Sequence, residues 1–202
     1  MKMQKGFYFD QTRCTGCQAC VVACKDWHDT PAGPSRWIRV TSMERGEFPH
    51  PSVIFLLHSC FHCTEPACRS VCPHNAIVKR EEDGMVIVKR ESCVGKEACG
   101  LCREACPYKA PQFRAEPERP MEKCDLCLER WTEGKKPVCV DSCPARALDA
   151  GPLKDLQKEY GAANKAEGFT YDSQLKPSII FKPKKPPSIP DFLATFGAKL
   201  RS

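Results

Sequence analysis

The residues able to do chemistry in this chain of 202 are its cysteines, sixteen of them in four groups of four. Cys14, Cys17, Cys20 and Cys24 follow the spacing C-x2-C-x2-C-x3-C. The second group is Cys60, Cys63, Cys68 and Cys72; the third is Cys93, Cys99, Cys102 and Cys106; the fourth is Cys124, Cys127, Cys139 and Cys143. Three groups end in Cys-Pro, at Pro73, Pro107 and Pro144, and no cysteine is left over. Four thiolates per group is what a cubane [4Fe-4S] cluster requires, the thiolate rather than the thiol being the ligand. The pattern predicts four such clusters, arranged as a wire for electrons.

The spacing fits that chemistry. Three thiolates in a C-x2-C-x2-C loop wrap one corner of a cube, and a tight loop cannot reach around to the opposite corner. In two-cluster ferredoxins the fourth cysteine of each run therefore ligates the other cluster. The proline after it turns the chain, and other loop N–H groups point at sulfur and stabilise the reduced state. Departures are confined to loop lengths. Four residues separate Cys63 from Cys68, five separate Cys93 from Cys99, and eleven separate Cys127 from Cys139. The five, Val94 to Ala98, alter the hydrogen bonds around one cluster and with them its potential.

Other readings fit less well. Zinc sites use paired C-x2-C but ask for neither a third cysteine two residues on nor a following proline. A disulfide scaffold needs a secretory signal, and Met1-Lys2-Met3-Gln4-Lys5-Gly6 offers no apolar signal region and no twin arginine. The formal charge of +6 counts every cysteine as neutral. Four oxidised clusters at about −2 each bring the assembled protein near −2, and aromatics show no stacking pattern, so nucleic acid is not an expected partner. The longest apolar run, Val53 to Leu57, is far short of the ~20 residues a membrane span needs. There is no phosphate loop, no nucleophile elbow and no supported catalytic dyad, so no catalytic residue is expected. None of the five histidines, His28, His50, His58, His62 and His74, is needed as a ligand; His62 and His74 lie inside cluster loops, where they tune potentials or simply pack. Lys79, Arg80, Lys109 and Arg146 follow cysteine groups, where a cation raises a cluster potential, although a solvated surface charge is the plainer reading. Trp27, Trp37 and Trp131 are expected to pack between clusters.

The elements that must hold these groups are slight. Phe7-Tyr8-Phe9-Asp10, Trp37 to Val40 and Val53 to Leu57 read as strands. Ala76 to Arg80 and Met85 to Val88 flank an Asp-Gly turn as a β-hairpin. Leu153, Leu156 and Tyr160 recur at helical spacing between Pro152 and Gly161, a start and a stop signal. Apolar residues are 42% of the chain only because the cysteines are counted. The core is thin without them, so folding is expected to depend on cofactor binding. The basic, proline-rich stretch from Pro177 to Pro187 is not expected to form its own core; with Phe192, Leu193 and Phe196 beyond it, it reads as a solvated extension or an arm laid on a partner.

Together these features resemble the four-cluster electron-transfer subunit of the dimethyl sulfoxide reductase family of molybdopterin enzymes. The stretches that carry the resemblance are Arg13 to Asp26, Ser59 to Ile77, Ala105 to Phe113, Lys123 to Gly151 and Lys176 to Pro183. The resemblance implies four ligand sets. Cys14, Cys17 and Cys20 share a cluster with Cys143. Cys124, Cys127 and Cys139 share one with Cys24. Cys60, Cys63 and Cys68 take Cys106, and Cys93, Cys99 and Cys102 take Cys72. The family usually has two residues between the first two cysteines of its third group, where this chain has five.

The expected fold is α+β and loop-rich, with two ferredoxin-like units each binding two [4Fe-4S] clusters and an extended C-terminal arm. Residues 1–24 and 107–151 form one unit, residues 25–106 the inserted other, and residues 152–202 a short helix and a partner-binding arm. The expected role is to relay single electrons in anaerobic respiration between a molybdenum- or tungsten-pterin catalytic subunit and a quinone-linked membrane anchor or soluble carrier. A free-standing polyferredoxin and a zinc-stabilised module are the alternatives. The chain is expected in the cytoplasm, or on the outer face of the cytoplasmic membrane by co-export with a signal-bearing partner.

Overall fold

The third cysteine of every group is the second residue of a short helix, and this regularity organises the chain. The computed structural model describes residues 3–47, 51–116 and 119–184. In order, the first half runs β1 (Lys5–Asp10), α1 (Ala19–Trp27), β2 (Arg39–Arg45), β3 (Ser52–His58), α2 (Ala67–Ser70), β4 (Ile77–Lys79) and β5 (Val86–Val88). The second runs α3 (Gly95–Ala98), α4 (Leu101–Ala105), α5 (Leu128–Thr132), α6 (Val138–Asp141), β6 (Leu148–Pro152), α7 (Leu153–Tyr160) and β7 (Ile179–Lys182). Cys20, Cys68, Cys102 and Cys139 open α1, α2, α4 and α6, and all four are buried.

β1 is the centre of a three-stranded sheet of order β6-β1-β7. It runs antiparallel to β6, with Phe7 opposite Ala150, and parallel to β7, with Phe9 opposite Phe181. Phe7 and Phe9 on one face are fully buried, as period-two alternation on a half-covered strand requires. The other face carries Tyr8, which stacks on Tyr160 of α7 with ring centroids 3.8 Å apart. β2 and β3 form an antiparallel ribbon, and β4 and β5 form the hairpin expected around Gly84, which has φ of 69°. Trp37 and Ile38, expected to begin a strand, lie just before β2 and are buried anchors.

The C-terminal expectation needs correction for the described residues. The helix expected after Pro152 is α7. Residues 177–184 do not extend away: Ile179, Ile180 and Phe181 are buried, and Phe181 N–H donates to the Ala163 carbonyl at 2.8 Å. An apolar Ile-Ile-Phe run finds the open edge of β1, and sheet pairing plus burial outweighs the flanking prolines. Residues 185–202, with Phe192, Leu193 and Phe196, lie outside the described residues. No helix among the described residues is long and apolar enough to cross a membrane.

Candidate metal centres

A turn repeats after three of the four groups. The sequences Cys72-Pro73-His74-Asn75-Ala76, Cys106-Pro107-Tyr108-Lys109-Ala110 and Cys143-Pro144-Ala145-Arg146-Ala147 share one geometry. The residue three after the cysteine is left-handed, with φ of 50° at Asn75, 47° at Lys109 and 50° at Arg146. Its N–H returns to the cysteine carbonyl at 3.3, 3.0 and 3.1 Å respectively. The alanine that follows is buried in all three. A left-handed non-glycine residue is uncommon, so its recurrence at one position marks a built feature. Its product is an amide aimed at sulfur: Ala147 N–H donates to Cys143 Sγ at 3.3 Å. Hydrogen bonds from Ala110, Tyr108 and Lys109 likewise moderate the burial that otherwise raises the Cys106 thiol pKa. Gly16, at φ of 71°, shapes the first loop; a Cβ there would clash with the Phe55 ring.

The structure gathers the sixteen sulfurs into four places. One cavity is lined by Cys14, Cys17, Cys20 and Cys143, a second by Cys60, Cys63, Cys68 and Cys106, and a third by Cys72, Cys93, Cys99 and Cys102. In the fourth place Cys24, Cys124 and Cys127 all raise the proton affinity of Cys139. We call these the Cys14, Cys60, Cys93 and Cys124 sites. Burial pushes the thiols up, to about 12 at Cys20, Cys24, Cys68 and Cys127 and to about 11 at Cys102; neighbouring sulfurs push the same way at Cys20, Cys24, Cys68 and Cys102, and Asp125 and Glu129 do so at Cys127. Four thiolates held together in such places need compensating positive charge, which iron provides. The donor set in each place is four sulfurs, which fits a [4Fe-4S] group.

The sites have an order. Cys20 acts electrostatically on Cys24 and Cys139, linking the Cys14 site to the Cys124 site. Cys60 acts on Cys124, and Cys102 on Cys68, linking the Cys124 site to the Cys60 site and that to the Cys93 site. All four sulfurs of the Cys124 site are buried, whereas Cys17 at one end is exposed and Cys72, Cys93 and Cys99 at the other are half-buried.

Two groups that sequence reasoning passed over stand close to sulfur. His28 Nε2 lies 3.5 Å from Cys127 Sγ and 3.8 Å from Asp125 Oδ1, with its ring tilted on Trp37. Lys123 is 3% exposed, lines the Cys60 cavity and bonds the carbonyls of Val86 and Cys124. Its position just before a cysteine was the available signal. Of the residues that sequence did single out, His62 is fully buried; its Nδ1 accepts from Val86 N–H at 2.9 Å, and burial with the Lys123 and Lys79 charges keeps it neutral. His74 lines the Cys93 cavity. Lys79 is half-buried and bonds the Cys63 carbonyl at 2.9 Å, whereas Arg80 is drawn away to Asp83 at 3.1 Å and Lys109 to Glu104 at 3.5 Å. Arg146 N–H serves the repeated turn, and Arg13 reaches its carbonyl at 3.3 Å. Trp131 packs against the main core and donates to the Leu126 carbonyl at 2.9 Å; Trp27 is exposed under Arg130, its ring centroid 4.9 Å away.

Four places where four sulfurs gather, with the third cysteine of each group opening a helix, define an iron–sulfur electron-transfer protein. Two profiles described as 4Fe-4S dicluster domain match, over residues 51–153 and 13–77. One chain of the anaerobic dimethyl sulfoxide reductase of Escherichia coli is 44% identical over 192 residues, covering 91% of this chain and 90% of that protein. Its namesake in Haemophilus influenzae is 40% identical over 191 residues, covering 90% of each. One subunit of the sulfite dehydrogenase of Allochromatium vinosum is 36% identical over 200 residues, covering 89% of this chain and 80% of that one. The protein belongs to the iron–sulfur subunits of the dimethyl sulfoxide reductase family of molybdopterin oxidoreductases, and takes four [4Fe-4S] clusters. It relays electrons and is not an enzyme on its own.

Proposed function

We propose that the chain passes single electrons in file through the Cys14, Cys124, Cys60 and Cys93 sites, between a molybdenum-pterin catalytic subunit at one end and a second redox partner at the other. Each [4Fe-4S] group, when bound, accepts and returns one electron. The ligands are the four sulfur sets named above, two to each ferredoxin-like unit: residues 1–24 with 107–151 hold the Cys14 and Cys124 sites, and residues 25–106 hold the Cys60 and Cys93 sites. The fourth cysteine of each group crosses to the neighbouring set, so Cys24, Cys72, Cys106 and Cys143 tie the sites in pairs.

The protein's own work is positional. Left-handed turns aim amides at Cys106 and Cys143, and the residues that follow Cys20 and Cys102 in their helices add N–H groups of their own. Buried apolar residues keep water from the sulfurs: Phe9 lines the Cys14 cavity, Phe61 the Cys60 cavity and Met121 the Cys93 cavity. The observation that carries the reading is the burial gradient: the Cys124 site is fully buried and the Cys60 site is half-covered with no exposed sulfur, whereas the terminal sites carry the exposed Cys17 at one end and the half-buried Cys72, Cys93 and Cys99 at the other. The catalytic partner is inferred from the relatives, which are subunits of dimethyl sulfoxide reductase and of sulfite dehydrogenase. The other partner is a quinone-linked anchor or a soluble carrier, and residues 185–202 are the segment proposed to reach a partner. The side of the membrane follows from the signal carried by that partner.

The test is native purification from anaerobically grown cells. Co-elution with a molybdopterin protein, ~16 iron per chain and four reducible paramagnetic centres are expected. A lone 22.7 kDa brown species would instead mark a free polyferredoxin.

A further inference from the structure

Beside the Cys93 site lies an open groove of about 620 Å³ to which electron relay gives no task. Its floor and walls are cationic. Arg39, Lys96, Arg103 and Arg114 line it, with Glu97 the one acid among the lining residues. Arg114 is balanced by Glu122, at 3.0 Å. Arg39 spends its donors on the neutral carbonyls of Tyr108 and Lys109, at 3.2 and 3.3 Å, and is half-buried beside the like charge of Arg103. Gathering guanidinium groups is unfavourable; the Cys106 sulfur offsets part of the charge at Arg39, and an anion in the groove relieves the rest.

A second observation points the same way. Ser35 also lines the groove, is 6% exposed, and its hydroxyl has no hydrogen-bond partner among the described residues. A buried hydroxyl left unpaired costs free energy, and a ligand oxygen satisfies it. The wall opposite has a traceable origin. α3 lies in the five-residue segment between Cys93 and Cys99, where the other three groups have two residues, and it supplies Lys96 and Glu97. The extra length builds a groove wall while leaving all four sulfurs of the site in place. Phe113 lines both the groove and the Cys93 cavity, so a ligand in one is a single side chain from the other.

We propose that this groove is a binding site for a phosphate-bearing anion. Planar guanidinium groups match phosphate oxygens in bidentate fashion, Lys96 adds a point charge, and the Ser35 hydroxyl, covered in this structure, donates to a further oxygen once its side chain turns toward the groove. The volume exceeds that of a bare phosphate, and Pro34, Phe113 and Ala115 offer apolar surface to an organic body. The ligand class is therefore a phosphate ester, free or as a phospholipid headgroup.

The test uses the cluster-loaded full chain and calorimetric titration with inorganic phosphate and with glycerol 3-phosphate, ionic strength being held with chloride. Saturable one-to-one binding is expected, tighter for the ester, at least tenfold weaker in Lys96→Glu and kept in Lys96→Arg. Ser35→Ala, at a residue that lines none of the three cysteine cavities, should weaken it severalfold with iron content unchanged. No heat beyond the chloride control overturns the proposal, as does undiminished affinity in both Lys96→Glu and Ser35→Ala. Flotation with phosphatidylglycerol vesicles but not phosphatidylcholine vesicles, reversed by phosphate, assigns the ligand to a lipid headgroup. Ester binding without flotation assigns it to a soluble compound. Iron and paramagnetic signals, followed in parallel, report separately on the electron-transfer reading.

Discussion

Lys123 and Cys68 face the same cavity, and the ammonium pulls down a thiol proton affinity that burial has raised. A cation so placed favours the more negative, reduced state of whatever the Cys60 site holds. Lys123→Met should therefore lower the midpoint potential of that centre. A unit charge a few ångström away, acting through an effective dielectric of ~20, predicts a shift on the order of 100 mV. Redox titration followed by paramagnetic resonance reads it, with iron content as the control. An unmoved potential at full iron loading would remove Lys123 from any tuning role.

Ligand exchange between groups makes an unusual prediction for single replacements. Cys24→Ser sits in the first group but should damage the Cys124 site and spare the Cys14 site. If that cluster is lost outright, iron falls from about 16 to about 12 per chain. Loss of the signal belonging to Cys14, Cys17 and Cys20 instead would show that each group closes on its own cluster.

Removing the iron should unfold the protein. The main core cluster includes Cys20, Cys24, Cys60, Cys124, Cys139 and Cys143, so cubanes occupy the volume that aliphatic side chains fill elsewhere. Anaerobic chelation is expected to abolish the cooperative thermal transition. A native-like melt of iron-free protein would contradict this.

Asp10 supplies an acid-sensitive clamp at the end of β1. Burial alone would raise its pKa, but Thr12 N–H at 2.8 Å, Thr12 hydroxyl at 2.5 Å and Lys182 Nζ at 3.4 Å together hold it below the usual carboxylate range. A depressed carboxylate stabilises the fold above its ordinary pKa, and that contribution is lost as pH falls through the lowered folded value. Asp10→Asn should cost about 1.5–3 kcal/mol at neutral pH and flatten the acid limb of the stability curve. Denaturant melts of loaded protein at pH 7 and pH 4 would show it; parallel acid limbs in both proteins would refute the clamp.

Phe181 decides between core and arm for the C-terminal stretch. It is 1% exposed and packs on Phe169 with ring centroids 4.7 Å apart. Phe181→Ala should cost about 3–5 kcal/mol in the isolated loaded chain, before any partner is added. A neutral change there, with weakened partner binding, would return this residue to an arm.

What was legible in the sequence followed from local rules. Phe7 to Asp10, Val53 to Leu57, the Gly84 hairpin and the Pro152–Gly161 helix each carry their signal within a few residues. β7 does not: Lys176-Pro177 and Lys182-Pro183 give it the look of a tail, and the strand it pairs with lies ~170 residues earlier, as the register to β1 records. The cysteine types and spacing named the chemistry, but their sorting into four places came from resemblance, because the partners cross between groups. Asn75, Lys109 and Arg146 were hidden as left-handed corners, although the recurring C-P-x-[NKR]-A stretch was there to be noticed. Lys123 looked like any surface cation, since its burial depends on β5 and on the Cys60 cavity rather than on its neighbours in sequence.

The central place of β1 has a consequence for biosynthesis. β1 pairs only with strands that emerge after residue 147, and Cys14 lines a cavity with Cys143. A growing chain must carry its early thiols unguarded through most of translation. Delivery of iron and sulfide to the Cys14 site is thus a late event, and holding factors that shield nascent cysteines from oxygen and stray metals would act on the amino-terminal half.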